Sequence, residues 1–453
     1  MINIFDNYHF NSQLLHRSLK LAGYQHLTIC LEDDGFLPDD VTSPYQFFAQ
    51  NSINQSDRPL FFNEVEVPTY WEITGSNDMG EIKNLGEIRG KIFYQPNFKS
   101  RIVSRVEWLD NKQRLRTVDF YNKNGFKFAE AIYDLTGKAI MKKYFDRLGK
   151  EIIYENYVTG DYVLNWKNKT HFFKSQEAFV IYYLKQLNVD LDVVIFNSLA
   201  MPFIALYRMD TMGKGILVWQ ENSHGNVPGN MKLMFDEYLN RNYSVMIPDS
   251  IEYLTIYQKL DDRERDKVYR GGYLYDYRKQ NQFSRNILTL TNSDQLSCVE
   301  ELVKNNSNYQ FHIAAITEMS NRLLDLTKYD NVRLYPVANE ETIESLYQQC
   351  DIYLDNNKGN ELLNAVGRAF ENDMVIFATH DEAHNRMFTA TENIVRKKDI
   401  NNLTVMLKKM SNSHKTYRTR LQLQKDYANE IERNTLINII NMLLKGEPKI
   451  SLS

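Results

Sequence analysis

Three copies of one short pattern, spaced twelve residues apart, constrain the fold of this 453-residue chain more than any other feature. Residues 121–125, 133–137 and 145–149 each contain an aromatic residue, Asn or Asp, two variable residues and Gly. An Asn or Asp side chain can bond to its own backbone, and Gly tolerates a positive φ, so each copy predicts a hairpin turn. Residues 108–110 open the same series, with Gln113 in place of Gly. Turns at this spacing predict an antiparallel β-meander.

Composition places the chain among ordinary globular proteins and argues against several functional classes. Hydrophobic residues make up 43% and charged residues 25% of the sequence, and two or three domains are expected at this length. The net charge of −4 gives no general reason to expect nucleic-acid binding. The three cysteines lie far apart without CxxC spacing, which argues against disulfides and zinc. We therefore expect a cytoplasmic protein without a signal peptide or a membrane span.

Strand and helix patterns surround the meander on both sides. A strand at 2–5 and a helix that Asn11 or Ser12 can cap open the chain. Further candidate strands, including one at 65–67, follow up to about residue 164. Helices then return in alternation with buried strands, and residues 230–239 are predicted as one of these helices. The meander is thus predicted to be inserted into a Rossmann-like domain.

A second alternation of short apolar strands and helices begins near residue 286, which predicts a parallel sheet covered on both faces. A long amphipathic helix is predicted over 416–444. The predicted fold class is therefore α/β, with two Rossmann-like domains that resemble the two-domain (GT-B) glycosyltransferase architecture. The predicted parts are an N-terminal domain at 1–60 and 170–285, the inserted sheet at 61–169, a second Rossmann-like domain at 286–415, and a C-terminal helix at 416–453 that packs back across the domains.

The segment after the first strand of the second domain lacks the cations that this architecture uses for catalysis. Retaining glycosyltransferases of this kind place an Arg and a Lys there, where they neutralise the diphosphate of the donor as it leaves. Here residues 290–295 read Leu-Thr-Asn-Ser-Asp-Gln, and no Arg or Lys lies between Arg285 and Lys304. An Asp in this segment would repel a diphosphate.

The second hallmark of such enzymes, a pair of glutamates eight positions apart, is also missing. Gly367 falls where the ribose-binding Glu belongs, and Asn360 or Gly359 falls where the first Glu belongs. Glu361 and Glu371 are ten positions apart and do not restore the spacing. The sequence therefore predicts that the frame of a glycosyltransferase survives while its donor site does not.

Other polar residues follow predicted strands and are weaker candidates. His380 and His384 could share a helix face, but the sequence is not His-Glu-x-x-His and no third ligand is evident, so no metal and no cofactor are predicted. Trp219 could line a cleft, bind a peptide or equally belong to the core. The candidate acceptor or cleft residues are Trp219, Glu221, His224, Asn360 and Glu361.

Several specific segments resemble the GtfB family. They are residues 31–38, 41–45, 61–73, 155–161 and 218–231, together with the turn series itself. This resemblance covers essentially the whole chain. It implies a non-catalytic glycosyltransferase fold that stabilises GtfA, an enzyme that transfers N-acetylglucosamine to Ser and Thr of serine-rich repeat adhesins before accessory Sec export. It further implies help in holding the acceptor polypeptide and peripheral contact with the cytoplasmic face of the membrane.

With no catalytic residues predicted, the inserted sheet becomes the main candidate for function. Sheet edges expose unpaired backbone groups that can join another chain, so we expect the sheet to dock on a similar sheet of the catalytic partner. The candidate interface residues are Trp108, Tyr121, Tyr133 and Phe145. Two alternatives stay open: an active UDP-sugar-dependent glycosyltransferase with a divergent donor site, and a chaperone of the unglycosylated adhesin that has no enzyme partner.

Overall fold

The computed structural model describes residues 1–51, 54–76, 78–96 and 101–445. These residues form two compact units. The first contains Met1–Gly271 and the described residues from Asn434 onward, and the second contains Gly272–Arg433. No helix among the described residues is both long enough and apolar enough to cross a bilayer.

Strands and helices are numbered along the described chain. The strands are β1 (Ile2–Phe5), β2 (Thr28–Cys30), β3 (Val41–Thr42), β4 (Glu72–Gly75), β5 (Met79–Asn84), β6 (Glu87–Tyr94), β7 (Val103–Leu109), β8 (Leu115–Tyr121), β9 (Lys127–Tyr133), β10 (Ala139–Phe145), β11 (Glu151–Asn156), β12 (Tyr162–Trp166), β13 (Lys169–Phe173), β14 (Val193–Phe196), β15 (Gly213–Val218), β16 (Arg241–Ile247), β17 (Val268–Arg270), β18 (Asn286–Thr291), β19 (Gln310–Ala315), β20 (Val332–Tyr335), β21 (Ile352–Asp355), β22 (Val375–Thr379) and β23 (Ile394–Val395). The α-helices are α1 (Phe10–Ala22), α2 (Pro44–Ala49), α3 (Gln176–Leu187), α4 (Met201–Met209), α5 (Gly229–Leu233), α6 (Ser250–Tyr257), α7 (Asp262–Arg265), α8 (Val299–Asn305), α9 (Asn321–Leu324), α10 (Glu340–Gln349), α11 (Ala365–Glu371), α12 (Ile400–Asn412), α13 (His414–Tyr427) and α14 (Arg433–Lys445).

The first unit contains a parallel sheet in the order β17-β16-β15-β14-β1-β2-β3. The chain leaves β1 for β2 on one side and later returns to β14 on the other, so strand order reverses between β1 and β14. Helix α1 ends at Gly23, which adopts φ 97°, but neither Asn11 nor Ser12 caps it. Its N-cap residue is His9, whose side chain makes no capping hydrogen bond. The Ser12 hydroxyl instead accepts a hydrogen bond from Asn197 Nδ2 at 2.8 Å.

The ten strands β4 to β13 form the antiparallel meander, and every neighbouring pair is consecutive in sequence. Four of its turns repeat one hydrogen-bond pattern, in which an Asp or Asn Oδ1 accepts from the backbone N–H groups two and four residues later. The four acceptors are Asp110, Asn122, Asp134 and Asp146. The residue three positions after each acceptor has a positive φ, at 61°, 88°, 83° and 77° for Gln113, Gly125, Gly137 and Gly149. The predicted turn series is therefore present, including its Gln variant.

One face of the meander is part of the same core as the parallel sheet. Ala129, Tyr144, Ile153 and Leu164 lie opposite one another across β9 to β12, and all four are buried. They belong to a single hydrophobic cluster that also contains Ile4 of β1. The inserted sheet is thus built into the first unit and has no separate core along these strands.

Residues 65–67 were predicted as a strand, and this is wrong. Val65 lies in a non-strand segment and is buried against Ile82, Ile92 and Val106 of the meander. The alternation of apolar residues therefore reflects a segment that covers the sheet rather than one that joins it.

The second unit contains a parallel sheet in the order β20-β19-β18-β21-β22-β23, with the reversal of strand order between β18 and β21. The predicted helix over 416–444 is instead two helices, α13 and α14, and the chain between them turns at Asn429 with φ 55°. Helix α13 lies in the second unit and α14 in the first. The apolar face predicted for the second half is present, because Leu436, Ile439, Ile440 and Leu443 are all buried.

Candidate functional sites at the sheet edges and on the meander

The two loops at the point where strand order reverses in the second unit are bonded to each other through their backbones. Ligands of open α/β sheets bind in the crevice at the carboxyl ends of the strands at such a point. Here the loop after β18 and the loop after β21 bond to each other: Ser297 N donates to Asn356 O at 3.0 Å, and Lys358 N donates to Gln295 O at 3.0 Å. The two loops therefore meet where a nucleotide would enter.

Side chains at this edge are mostly neutral and bonded to one another. Thr291 Oγ1 donates to Asn357 Oδ1 at 2.6 Å, and Asn357 Nδ2 donates to Asn292 Oδ1 and to the Asn360 carbonyl, both at 3.4 Å. Asn360 thus takes part through its backbone, and its side chain is exposed. Within loops 291–298 and 355–361 the single basic residue is Lys358, and its side chain is also exposed.

His384 forms an ion pair at the same edge. Its Nδ1 lies 2.6 Å from Oδ1 of the buried Asp355, its backbone N donates to Asp355 Oδ2 at 2.8 Å, and its Nε2 lies 2.7 Å from Gly359 O. The hydrogen bond that His384 donates to the Asp355 carboxylate raises the pKa of His384 to about 9, so the imidazole is protonated near neutral pH and donates from both nitrogens. A metal could not bind His384 in this state, and no group of His, Cys, Asp and Glu suited to a metal occurs in the described part of the chain.

Glu361, which lies beside the position of the first glutamate of such enzymes, and Gly367, at the position of the ribose-binding glutamate, both have structural uses here. Glu361 Oε1 accepts a hydrogen bond from Val366 N at 2.9 Å, in the first turn of α11, and burial raises the pKa of its carboxyl. At Gly367, a Cβ would lie 2.5 Å from the Asn364 amide group. A glutamate at 367 would have to displace that side chain, so the residues around Gly367 are packed for a position without a side chain.

The corresponding edge of the first unit has an open cavity of about 310 Å³. Its wall is a hydrogen-bonded set of polar residues at the ends of β1, β14 and β15. Asp6 N donates to Asn197 Oδ1 at 3.1 Å, and Ser198 Oγ donates to Glu221 Oε1 at 3.3 Å. Burial, and then the charges of Glu32 and Glu221, raise the pKa of Asp6 to about 6. The cavity is therefore rich in oxygen acceptors and suits ligands that donate hydrogen bonds.

The three candidate residues after β15 occupy different environments. Glu221 lines the cavity just described. Trp219 is 4% exposed and packs in the core, where its indole Nε1 has no hydrogen-bond partner among the described residues. His224 is exposed in a turn with φ 49°, and its backbone N donates to Asn222 Oδ1. The structure thus brings Glu221 alone of the three to the cavity.

The aromatic residues predicted to contact a partner pack largely within the first unit. Trp108 and Tyr121 are half-buried and pack against the hydrophobic cluster that contains Val65 and Ile82. Trp108 Nε1 donates to Asp119 Oδ2 at 2.7 Å. Phe145 lines a cavity between the meander and residues 33–51. Tyr133 is half-buried at the end of β9. Their role in partner binding stays a prediction.

The open face of the meander lies elsewhere, on β9 to β13. Cross-strand pairing aligns Glu130, Lys143, Tyr154, Val163 and Phe172 in one row. The first four are half-exposed, and Phe172 on the edge strand β13 is 76% exposed. Sequence reasoning did not single out this row, because its residues come from five strands and are aligned only by the strand pairing.

Family models and similar proteins agree on one assignment. Four models match in succession: the GtfB N-terminal domain at 2–48, the GtfB middle domain at 71–174, the GtfB third domain at 176–259 and the GftB/GlyA-F C-terminal domain at 287–424. A UDP-N-acetylglucosamine–peptide N-acetylglucosaminyltransferase stabilizing protein GtfB from Streptococcus gordonii is 38% identical over 449 residues, which cover 99% of this chain and 100% of that protein. The chain belongs to the GtfB family.

Solved structures extend the GtfB assignment to three dimensions. One chain in a crystal structure of a GtfA/B complex bound to UDP and GlcNAc is 38% identical, with a TM-score of 0.90 and coverage of 98% of this chain and 100% of that chain. The pneumococcal O-GlcNAc transferase GtfA, in complex with UDP and GlcNAc, is 10% identical with a TM-score of 0.54 over 98% of both chains, and shares the fold. The predicted fold class, two Rossmann-like domains of the GT-B type with an inserted antiparallel sheet, is confirmed.

Proposed function

We propose that this GtfB-family chain is the non-catalytic subunit that stabilises and activates a GtfA-type protein O-GlcNAc transferase. In this role it binds the catalytic subunit and helps hold a serine-rich repeat adhesin whose Ser and Thr residues are glycosylated before accessory Sec export. Peripheral contact with the cytoplasmic face of the membrane is part of the same proposal. The observation that carries it is the full-length 38% identity to the Streptococcus gordonii stabilizing protein.

The bonded loops and the scarcity of basic residues at this edge of the second unit support the non-catalytic part of this proposal. A donor site needs room for a uridine diphosphate and cations for its phosphates, whereas here two loops bond across the entrance and Asp355 is paired with His384. Calorimetric titration of the isolated chain with UDP-GlcNAc, beside a GtfA-type enzyme as positive control, is expected to give no saturable heat. Tight binding with turnover would instead establish the alternative, a transferase with a divergent donor site that uses Lys358.

The open row on β9 to β13 is proposed as the surface that binds the catalytic subunit. Its half-exposed apolar residues lie on one face while the opposite face is buried, and an edge strand with an exposed Phe172 borders it. Phe172→Asp is expected to weaken co-purification of the catalytic subunit at least tenfold. Leu85→Asp is the matched control, since Leu85 is 96% exposed and lies in a turn of the same sheet, away from β9 to β13. Equal loss in both variants would place the interface elsewhere.

Co-purification of the wild-type chain distinguishes the remaining alternative. A stoichiometric catalytic subunit is expected after co-expression. A chain that binds the unglycosylated adhesin but captures no enzyme would be a chaperone of the adhesin instead.

The cavity of the first unit is proposed to hold part of the acceptor polypeptide. Its wall of carboxylate, amide and hydroxyl groups can accept hydrogen bonds from Ser and Thr side chains. Glu221→Ala is expected to weaken binding of a serine-rich peptide several-fold, measured by fluorescence anisotropy on the assembled complex. Glu318→Ala, which removes an exposed carboxylate of the second unit, serves as control. Identical affinities in the two variants would exclude Glu221 from the acceptor site.

A further inference from the structure

The modest negative charge of the whole chain hides a strongly basic segment. Residues 396–425 contain nine Lys or Arg and a single acidic residue, Asp399, which gives this stretch a net charge of +8. The whole chain has a net charge of −4. The positive charge is therefore concentrated in about one fifteenth of the sequence, in helices α12 and α13 of the second unit and the segment before them.

The basic side chains gather around the turn between α12 and α13. Lys408 and Lys409 lie near the end of α12, and Lys415 and Arg418 lie in the first turns of α13; all four are exposed. Arg285, also exposed, reaches the same turn, because its Nη2 donates to Ser411 O at 3.1 Å. These five residues define the basic turn.

An aromatic ring holds part of the basic turn in place. The imidazole of His414 stacks on the ring of Phe283 with centroids 4.9 Å apart, and the guanidinium of Arg418 lies 5.2 Å from the centroid of the same ring. His414 is itself exposed. The positions of these groups are therefore fixed by packing as well as by the helices.

No carboxylate neutralises the basic turn within the described chain. Among the described residues, none of Lys408, Lys409, Lys415, Arg418 and Arg285 forms an ion pair, and residues 400–425 contain no Asp or Glu. Surface lysines are commonly paired or interspersed with acids, and like charges grouped without them repel one another. A cluster of this kind is stabilised by an anionic partner that covers it.

Both helices are anchored from beneath, so the basic turn has a fixed outline. Tyr309 Oη donates to Leu407 O of α12 at 2.8 Å, and Tyr417 Oη of α13 donates to Asp351 O at 2.8 Å. Gln424 Oε1 accepts from Ile376 N of β22 at 2.8 Å. Charges held on a rigid surface lose less conformational freedom on binding than charges on a mobile tail.

The outer face of α12 also exposes an apolar residue beside the cations. Val405 lies one turn before Lys408 and Lys409 on the same face and is 49% exposed. Lysines beside a solvent-facing aliphatic residue suit a membrane interface, where cations meet headgroups and apolar side chains enter the acyl boundary. Single-stranded nucleic acid binding uses aromatic stacking platforms. Here the ring of Phe283 is already covered by His414 and Arg418, and the ring of Tyr417 is buried.

We propose that the basic turn binds the surface of a bilayer that contains anionic phospholipids. This inference rests on the peripheral membrane contact in the proposed function and names the surface that makes it. The chemical group that the basic turn recognises is a phosphodiester anion. We assign this anion to a lipid headgroup within a bilayer.

Vesicle co-sedimentation of the full chain, alone and with its co-expressed catalytic subunit, tests the proposal. Vesicles of phosphatidylcholine with about one third phosphatidylglycerol are expected to bind the wild-type chain, and pure phosphatidylcholine vesicles are not. The variant Lys408→Glu/Lys409→Glu is expected to bind at least tenfold more weakly, because each basic residue at an anionic surface contributes about fivefold to partitioning. Binding is also expected to fall steeply between 0.1 M and 0.5 M salt, as screening shortens the range of the charges.

A matched control variant shows whether vesicle binding depends on the basic turn or only on the net charge of the chain. Lys138→Glu/Lys150→Glu changes the net charge by the same amount at two exposed lysines in turns of the meander, and it is expected to bind vesicles like the wild-type chain. Equal loss in both double variants would overturn the proposal, as would equal binding to charged and neutral vesicles. Displacement by low millimolar inorganic phosphate would assign the turn to a soluble anion, and tighter binding of transfer RNA than of vesicles would assign it to nucleic acid; either result overturns it.

The same samples separate this proposal from the proposed function. If Lys408→Glu/Lys409→Glu loses vesicle binding but still co-purifies the catalytic subunit, both proposals stand. If the wild-type chain captures the catalytic subunit but no vesicle, the membrane surface alone is wrong. If it binds vesicles but captures no catalytic subunit, the proposed subunit role is wrong, while the proposal that the basic turn binds membranes stands.

Discussion

The ring of Tyr45 in α2 stacks on the ring of Tyr144 in β10, with centroids 3.9 Å apart and planes at 15°. Both side chains are buried, and the pair joins the N-terminal Rossmann-like segment to the middle of the inserted sheet. Contacts of this kind mean that the sheet and the parallel sheet of the first unit share one core.

Tyr144→Ala is therefore expected to destabilise the whole first unit. Removing a buried aromatic side chain costs about 3–5 kcal/mol in a well-packed core. Chemical denaturation followed by far-UV circular dichroism and by tryptophan fluorescence is expected to show one shifted transition for the unit. Separate transitions for the meander, with the parallel sheet unaffected, would contradict the shared core. It follows that deletion of residues 65–165 would test folding rather than partner binding.

The turn glycines are expected to differ in their tolerance of a side chain. Gly125 and Gly137 both have φ above 80°, which costs an L-residue about 1–2 kcal/mol. A Cβ at Gly125 would also lie 2.3 Å from Arg58 O, while a Cβ at Gly137 would meet nothing within 4 Å. Gly125→Ala should therefore lower the melting temperature more than Gly137→Ala does. Gly137→Asn should be nearly neutral, and similar losses at 125 and 137 would show that only the backbone angle matters.

The ion pair of His384 and Asp355 predicts a loss of stability at alkaline pH. The folded-state pKa of His384 is raised to about 9 from the ordinary 6.5, so its stabilisation is complete below pH 6.5 and disappears as pH rises through 9. The expected loss is about 2–3 kcal/mol, measured as the free energy of unfolding between pH 6 and pH 10. In His384→Gln the free energy of unfolding should not show this decrease between pH 6 and pH 10. An equal decrease in both proteins would mean that other groups cause it.

Asp6 predicts a loss of stability with rising pH in a lower pH range than the His384 pair does. Its folded-state pKa is raised to about 6 from the ordinary 3.8, so the folded chain favours the neutral acid and loses stability as pH rises from 4 to 6. Asp6→Asn is therefore expected to stabilise the chain at pH 7.5 by about 1–2 kcal/mol and to have little effect at pH 4. Thermal unfolding at the two pH values checks this difference, and a destabilised variant at pH 7.5 would mean that the Asp6 carboxylate is needed by the fold.

The parallel strands and the turn series could be predicted because each is encoded locally. Buried strands such as Val193–Phe196 are apolar runs, and the turns need Asn or Asp and Gly at fixed offsets. The strand Ala139–Phe145 was missed because it contains adjacent lysines. Its Lys142 lies over the rings of Phe120 and Tyr144, which a one-dimensional pattern cannot show.

Some helix predictions failed where tertiary bonds redirect the chain. Residues 230–239 have helical apolar spacing, yet α5 ends at Leu233. Met234 and Phe235 are buried as expected for a helix face, but the chain then turns so that Asn240 Nδ2 can donate to Asp210 Oδ2 at 2.9 Å before β16 begins. The partner of Asn240 lies 30 residues away, outside the window that periodicity uses.

The candidate donor site could be judged in part from sequence. The absence of Arg and Lys after β18 and the Gly at 367 are visible in the chain itself. The bonding of the two loops to each other is not visible there, because it depends on contacts such as the one from Asn356 Nδ2 to Ser297 O, between residues 59 positions apart. The pairing of Asp355 with His384 likewise joins two loops that have no shared motif.

The two backbone bonds between the loop after β18 and the loop after β21 have a consequence for variants of this chain. The bonded residues Ser297 and Asn356 are 59 positions apart in the sequence, so an insertion or deletion in either loop shifts the register of both loops. The two loops are therefore expected to tolerate changes of length only when both change together.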